Sequence, residues 1–143
     1  MLPPIEVDES LVAYGQYRQV RQGKQTGLHE LWTLHVLVDG ASIWRSQRLH
    51  EDVMPVSACY LLRDPVFRPV QMVFYQRWQD GREDLIEYRF AARHMTILYR
   101  DQAQDMILPA DYEVYTWHTV MEHQWWGRYQ RRHALQNMTL VAP

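Results

Sequence analysis

The sequence predicts a mainly β fold, a curved antiparallel meander of about seven to nine strands wrapping one C-terminal amphipathic helix. Three observations predict it. Apolar residues alternate with a period of two from Leu11 to Arg100, tight-turn signals break these runs at hairpin spacing, and the period lengthens to that of a helix after Pro109.

The elements follow in order. Leu11 to Gln22 reads as a polar, alternating strand, and Gly23 to Gly27 enclose a turn. Leu28 to Val38 is the clearest strand. Its even positions, Leu28, Glu30, Trp32, Leu34, Val36 and Val38, form a mostly apolar face, and its odd positions a mixed one. Asp39-Gly40 is a hairpin signal, and Ala41 to Leu49 returns from it. Val56 to Leu62 and Val70 to Trp78 flank a loop marked by Asp64-Pro65 and Arg68-Pro69. Asp80-Gly81 turns the chain into Leu85 to Ala91, and His94 to Arg100 follows. Asp111 is an N-cap residue for a helix within residues 112–126. Val114, Trp117, His118, Met121 and Trp125 share one face of it, and Gly127 ends it. Arg128 to His133 reads as exposed, and Met138 to Ala142 as a last short strand. The expected core is Trp32, Leu34, Val36, Phe74, Ile86, Tyr88 and Phe90, met by Trp117 and Met121 from the helix.

Composition bounds the function. With 143 residues and no internal linker or repeat, residues 1–143 read as a single β-rich domain. A net charge of −2 supplies no basic excess for neutralising phosphates, so nucleic acid is not an expected partner. No apolar run is long enough for a transmembrane segment. The opening Met1-Leu-Pro-Pro-Ile-Glu-Val-Asp-Glu9 is acidic and broken by prolines, unlike a secretory signal. With the lone cysteine it predicts a cytoplasmic protein.

Chemistry-bearing patterns are sparse. His118 and His123 in the expected helix point about 140° apart and cannot ligate one ion together. His118 and Glu122, at i and i+4, do share a face and form a candidate acid–base pair. His29 and His35 share a strand face about 20 Å apart, too far for one metal, and read as partly exposed structural residues. Cys59 lies in the apolar run Val56 to Leu62, as a small buried hydrophobe does. No glycine-rich phosphate loop or nucleophile motif is present, and neither a metal nor a cofactor is expected. Aromatic residues make up 13% of the chain, and Tyr112, Tyr115, Trp117, Trp125, Trp126 and Tyr129 fall close together. One helix face can bury only part of that set against a concave sheet; the rest lines a groove, meets a partner or lies exposed.

The stretch Leu31-Trp-Thr-Leu-His-Val-Leu-Val-Asp-Gly40, followed by Ile43-Trp-Arg-Ser-Gln-Arg48, resembles the strand–turn–strand of the bacterial glycolipid-binding and lipoprotein-carrier-like half-barrel families. The string Trp44-Arg-Ser-Gln-Arg48 is also similar to one in the lipocalin-like bilin lyases. The resemblance implies a curved sheet holding a helix, with no site residue carried over. The functional expectation is non-enzymatic binding of an apolar or amphipathic, lipid-like small molecule between sheet and aromatic helix. Trp44, Trp117, Met121 and Trp125 are the expected wall, and Arg45 or Arg48 the partner of an anionic head group. Two alternatives stand beside it: an interaction module that forms a homodimer through the helix or a sheet edge, and an enzyme using His118 with Glu122.

Overall fold

A computed structural model describes residues 2–50, 54–112 and 114. Eight strands form one antiparallel sheet: β1 (Ser10–Arg21), β2 (Lys24–Val36), β3 (Ser42–His50), β4 (Met54–Arg63), β5 (Pro69–Arg77), β6 (Glu83–Ala91), β7 (His94–Tyr99) and β8 (Gln102–Ile107). Spatial order equals chain order, and every pairing is between consecutive strands. The sheet is therefore an open meander whose described edges are β1 and β8; the closed-barrel variant of the expected fold is not formed by these strands. The helix expected within 112–126 and the strand expected at Met138 to Ala142 lie outside the described residues beyond Val114. Asp111 sits in a turn, and Tyr112 and Val114 in irregular chain.

Turn chemistry sets the connections. Gln22 and Gly23 both have positive φ, 51° and 76°, as a two-residue primed turn requires, so β2 begins at Lys24 rather than after Gly27. Gly27, with φ 77°, lies instead inside β2 at a bulge where the β1–β2 register slips between Arg18 and Val20. At Asp39-Gly40 the Leu37 N–H donates to Ala41 O, the Gly40 N–H to Leu37 O, and the Ala41 N–H to the Asp39 carboxylate. The same three-bond pattern recurs at Asp80-Gly81. Between β4 and β5 Asp64 plays the same part, while Phe67, with φ 66°, occupies the left-handed position that glycine fills in the other two turns.

Register divides the side chains into two faces. A second bulge between Leu11 and Ala13 places Leu11 opposite His35 and Ala13 opposite Leu34, which moves the rest of β1 into phase with the apolar side of β2. The tryptophan face carries Trp32, Trp44 and Leu61 in one buried cluster, and Ile86, Tyr88, Met95, Ile97 and Leu108 in another; Met72 packs against both. The expected core residues lie on this face: Trp32, Ile86 and Tyr88 are fully buried, and Leu34, Val36, Phe74 and Phe90 are half-buried. The opposite face holds Ile43, Tyr60 and Val73. Residues 2–9 cross it as a strap, because Leu2 packs against that cluster and Glu9 reaches Arg45 of β3.

Past β8 the chain turns onto the tryptophan face. The Leu108 N–H donates to Arg93 O, and the Arg93 guanidinium to Leu108 O. Tyr112 stacks on Phe90 and donates to Ala92 O; Val114 packs against the tryptophan cluster and accepts from Arg63.

Candidate functional site

The tryptophan face concentrates unusual chemistry around Trp32. In register its neighbours are Gly15 on β1 and Ser46 on β3, two of the smallest residues available. A methyl group at Gly15 would stand 2.6–2.7 Å from the Trp32 indole, so glycine there lets the ring lie flat against β1. On the other side Ser46 leaves room for Trp44 to lean across. The two indoles stack with centroids 4.9 Å apart and planes 6° apart, and Tyr17 continues the row at 6.5 Å. Leu61, fully buried on β4, closes the row toward β5.

Among the described residues three polar atoms in this cluster are buried without a hydrogen-bond partner: Trp32 Nε1, Trp44 Nε1 and Ser46 Oγ. A buried donor left unsatisfied costs roughly 1–3 kcal/mol, so native cores rarely hold three together unless something supplies acceptors. Arg48 sits at the margin of the cluster, two residues along from Ser46, with its Nε 3.4 Å from the Glu30 carboxylate. The arrangement presents flat apolar rings and unsatisfied donors, with the Arg48 cation at the rim.

Of the residues named from sequence, Trp44 and Arg48 lie on this face. Arg45 lies on the other, because adjacent strand residues point to opposite sides of a sheet. Its guanidinium forks onto Glu9, with Nη1 to Oε2 at 2.5 Å and Nη2 to Oε1 at 2.7 Å. It also donates to Pro4 O and lies over the Tyr60 ring at 5.1 Å. The Glu9 side chain is only 1% exposed, and the bonded guanidinium holds its carboxyl below the usual glutamate range. His35 Nδ1 stands 3.2 Å from the same carboxylate. Both His29 and His35 are buried, against the expectation of partial exposure; the strap roofs His35 in a way its own strand does not foretell. Trp117, Met121, Trp125, His118 and Glu122 lie outside the described residues.

The remaining polar centres read as structural. Asp84 accepts from Trp78 Nε1, Tyr99 Oη and Arg100 Nη2 at 2.6–2.7 Å, and these donors hold its carboxyl at about 2, so it is no proton acceptor near neutral pH. Glu87 is likewise held low by Arg89 and Gln71. An open depression of about 360 Å³ lies at the β7–β8 hairpin, lined by Leu85, Glu87, Leu98 and Gln102 among others, on strands remote from the tryptophans. Among the described residues no group of three His, Cys, Asp or Glu side chains is placed to hold a metal ion, and no helix is long and apolar enough to cross a membrane. Cys59 is buried.

Comparison of the chain with family models, curated proteins and solved structures returns no match.

Sequence reasoning missed Glu9, Trp32 and Ser46 as members of these centres. The small residues flanking Trp32 are a signal only once β1, β2 and β3 are in register. Glu9 and Arg45, 36 residues apart, carry none.

Proposed function

We propose that the chain binds an amphipathic small molecule without chemical turnover, its ring or acyl body against the Trp32–Trp44 row and its polar end among the indole N–H groups, the Ser46 hydroxyl and Arg48. One observation carries this reading: three unsatisfied buried polar groups gathered on a stacked aromatic pair. A ligand bearing acceptor oxygens would satisfy them, and the apolar surroundings would strengthen each bond. Trp117, Met121 and Trp125 remain the proposed second wall, and the descent of Tyr112 and Val114 onto this face supports that placement. The resemblance to lipid-carrying half-barrels agrees in its open antiparallel sheet.

Titration with cis-parinaric acid, followed by energy transfer from tryptophan, tests the reading. Saturable one-site binding is expected, weakened about tenfold in Trp44→Phe, which keeps an aromatic ring but removes the donor. Binding by neither this probe nor any other amphiphile in the folded wild-type chain would overturn it.

A second reading, a homodimer through a sheet edge, is favoured by β1. It is twelve residues long, pairs only with β2 among the described strands, and exposes Leu11, Val12, Tyr14 and Val20. Concentration-dependent sedimentation in the absence of ligand, abolished by Val12→Pro, would select it.

A further inference from the structure

We propose that Arg45, His35 and Tyr60 form a receptor for an acidic peptide segment, and that the chain's own residues 2–9 are its resident, displaceable occupant. This site lies on the face opposite the tryptophans and does not depend on what they bind.

The strap is held at two points. Leu2 packs with Ile43, Tyr60 and Val73, and the Glu9 carboxylate fills the Arg45 fork. Between the anchors Ile5 and Val7 are exposed, and residues 2–9 pair with no strand. Pro4 O between them accepts from the same Arg45, and two further bonds of the strap are internal, the Glu9 N–H to Glu6 O and the Glu6 N–H to Glu9 Oε1. A segment with two anchors and few backbone bonds opens more readily than the sheet beneath it.

The receiving side, by contrast, is built into the centre of the sheet. Arg45 lies on β3, laddered between Thr33 of β2 and Tyr60 of β4, and the Tyr60 ring supports its guanidinium. The fork therefore stays aimed when the strap leaves. The resident carboxylate also under-uses it. Among the described residues Arg45 Nε and His35 Nε2 are buried without a partner, and His35 Nδ1 lies near Glu9 outside hydrogen-bonding geometry. An incoming segment with a second acidic residue or better-placed carbonyls would engage donors that Glu9 leaves idle. The strap shows why the ligand is peptide rather than a free anion: the same guanidinium takes a carboxylate and the Pro4 main-chain carbonyl, and an apolar side chain seats beside them.

The tethered occupant competes at high effective concentration, so the receptor is masked in the wild-type chain. The test uses the full chain and a peptide of residues 2–9 labelled with fluorescein at its C-terminal end, read by anisotropy. Circular dichroism confirms that each variant is folded. Glu9→Gln, which weakens one anchor, should bind the peptide at least about tenfold more tightly than wild type. Leu2→Ala, which weakens the other and leaves Arg45 paired, should also gain affinity. Adding Arg45→Met to Glu9→Gln should abolish binding, as should replacing the peptide's last Glu by Gln. Folded Glu9→Gln and Leu2→Ala chains that bind no better than wild type, or binding indifferent to Arg45→Met, would overturn the proposal. So would a wild-type dimer that Arg45→Met dissociates, since the occupant would then be a second copy's strap.

Discussion

Trp32 shows how much a single position depends on its two neighbours. Its indole lies flat because Gly15 has no side chain and Ser46 a short one, and only then can Trp44 stack beside it. Gly15→Ala should push the indole away from β1, disturb the stacked pair and destabilise the chain by about 1–3 kcal/mol, the usual cost of overpacking a filled site. Urea denaturation, with near-ultraviolet circular dichroism reporting the tryptophans, checks it. A change within a few tenths of wild type would mean that the ring has free space elsewhere. Arg45 makes the complementary point. Beside Trp44 in sequence it looks like part of one site, yet a strand's period of two sends it to the strap face and Arg48 to the tryptophan face.

At the scale of elements, hairpin turns account for most of the topology, and they were legible where glycine marked them. Asp39-Gly40 and Asp80-Gly81 turn as expected. The last hairpin carries no such mark: the alternation predicts no strand where β8 lies and runs the preceding strand on through Arg100, whereas β7 ends at Tyr99. Gln102-Ala-Gln-Asp-Met-Ile107 has no apolar alternation because it is an exposed edge, where polar residues cost nothing and discourage pairing with other chains. Its turn carries no glycine either, for Arg100 and Asp101 hold positive φ of 47° and 60°. Asp101→Gly should remove that backbone strain and raise stability by about 0.5–1 kcal/mol while leaving the Arg100–Asp84 pair intact. A thermal melt of the variant checks it, and a lower midpoint would place the value of Asp101 in a contact rather than in the turn.

For the whole molecule, apolar contact and ionised carboxylates hold different parts of the sheet, and acid separates them. The tryptophan face is mainly apolar contact. The strap face and the β6–β8 end rest on carboxylates whose pKa values are depressed: Glu9 by Arg45, Glu87 by Arg89, and Asp84, to about 2, by Tyr99, Trp78 and Arg100. Depressed values mean that these groups stabilise the fold when ionised. That stability is fully present above the unfolded values of 4.5 and 3.8 and is lost as pH falls through the folded ones. The melting temperature should therefore hold level from about pH 8 to 5 and fall steadily toward about pH 2. In Glu9→Gln the fall should be shallower, because one of the protonating groups is gone. Parallel curves for the two proteins would show that Glu9 is not paired in the folded state.

The sequence by itself determined the class of fold, the positions of seven strands and the residues of the larger apolar face. Period-two alternation is a local property, repeated within each strand, and it survives without knowledge of any partner. What only the tertiary structure decided is what meets across strands: Gly15 and Ser46 about Trp32, the unsatisfied indole and hydroxyl groups, and Glu9 in the fork of Arg45. The reason is physical. These meetings depend on register, which two bulges in the β1–β2 pair reset by one and then two residues, and on the path of a strap that pairs with no strand. A bulge leaves little trace in hydrophobic pattern, yet it decides which face every later side chain of its strand will reach.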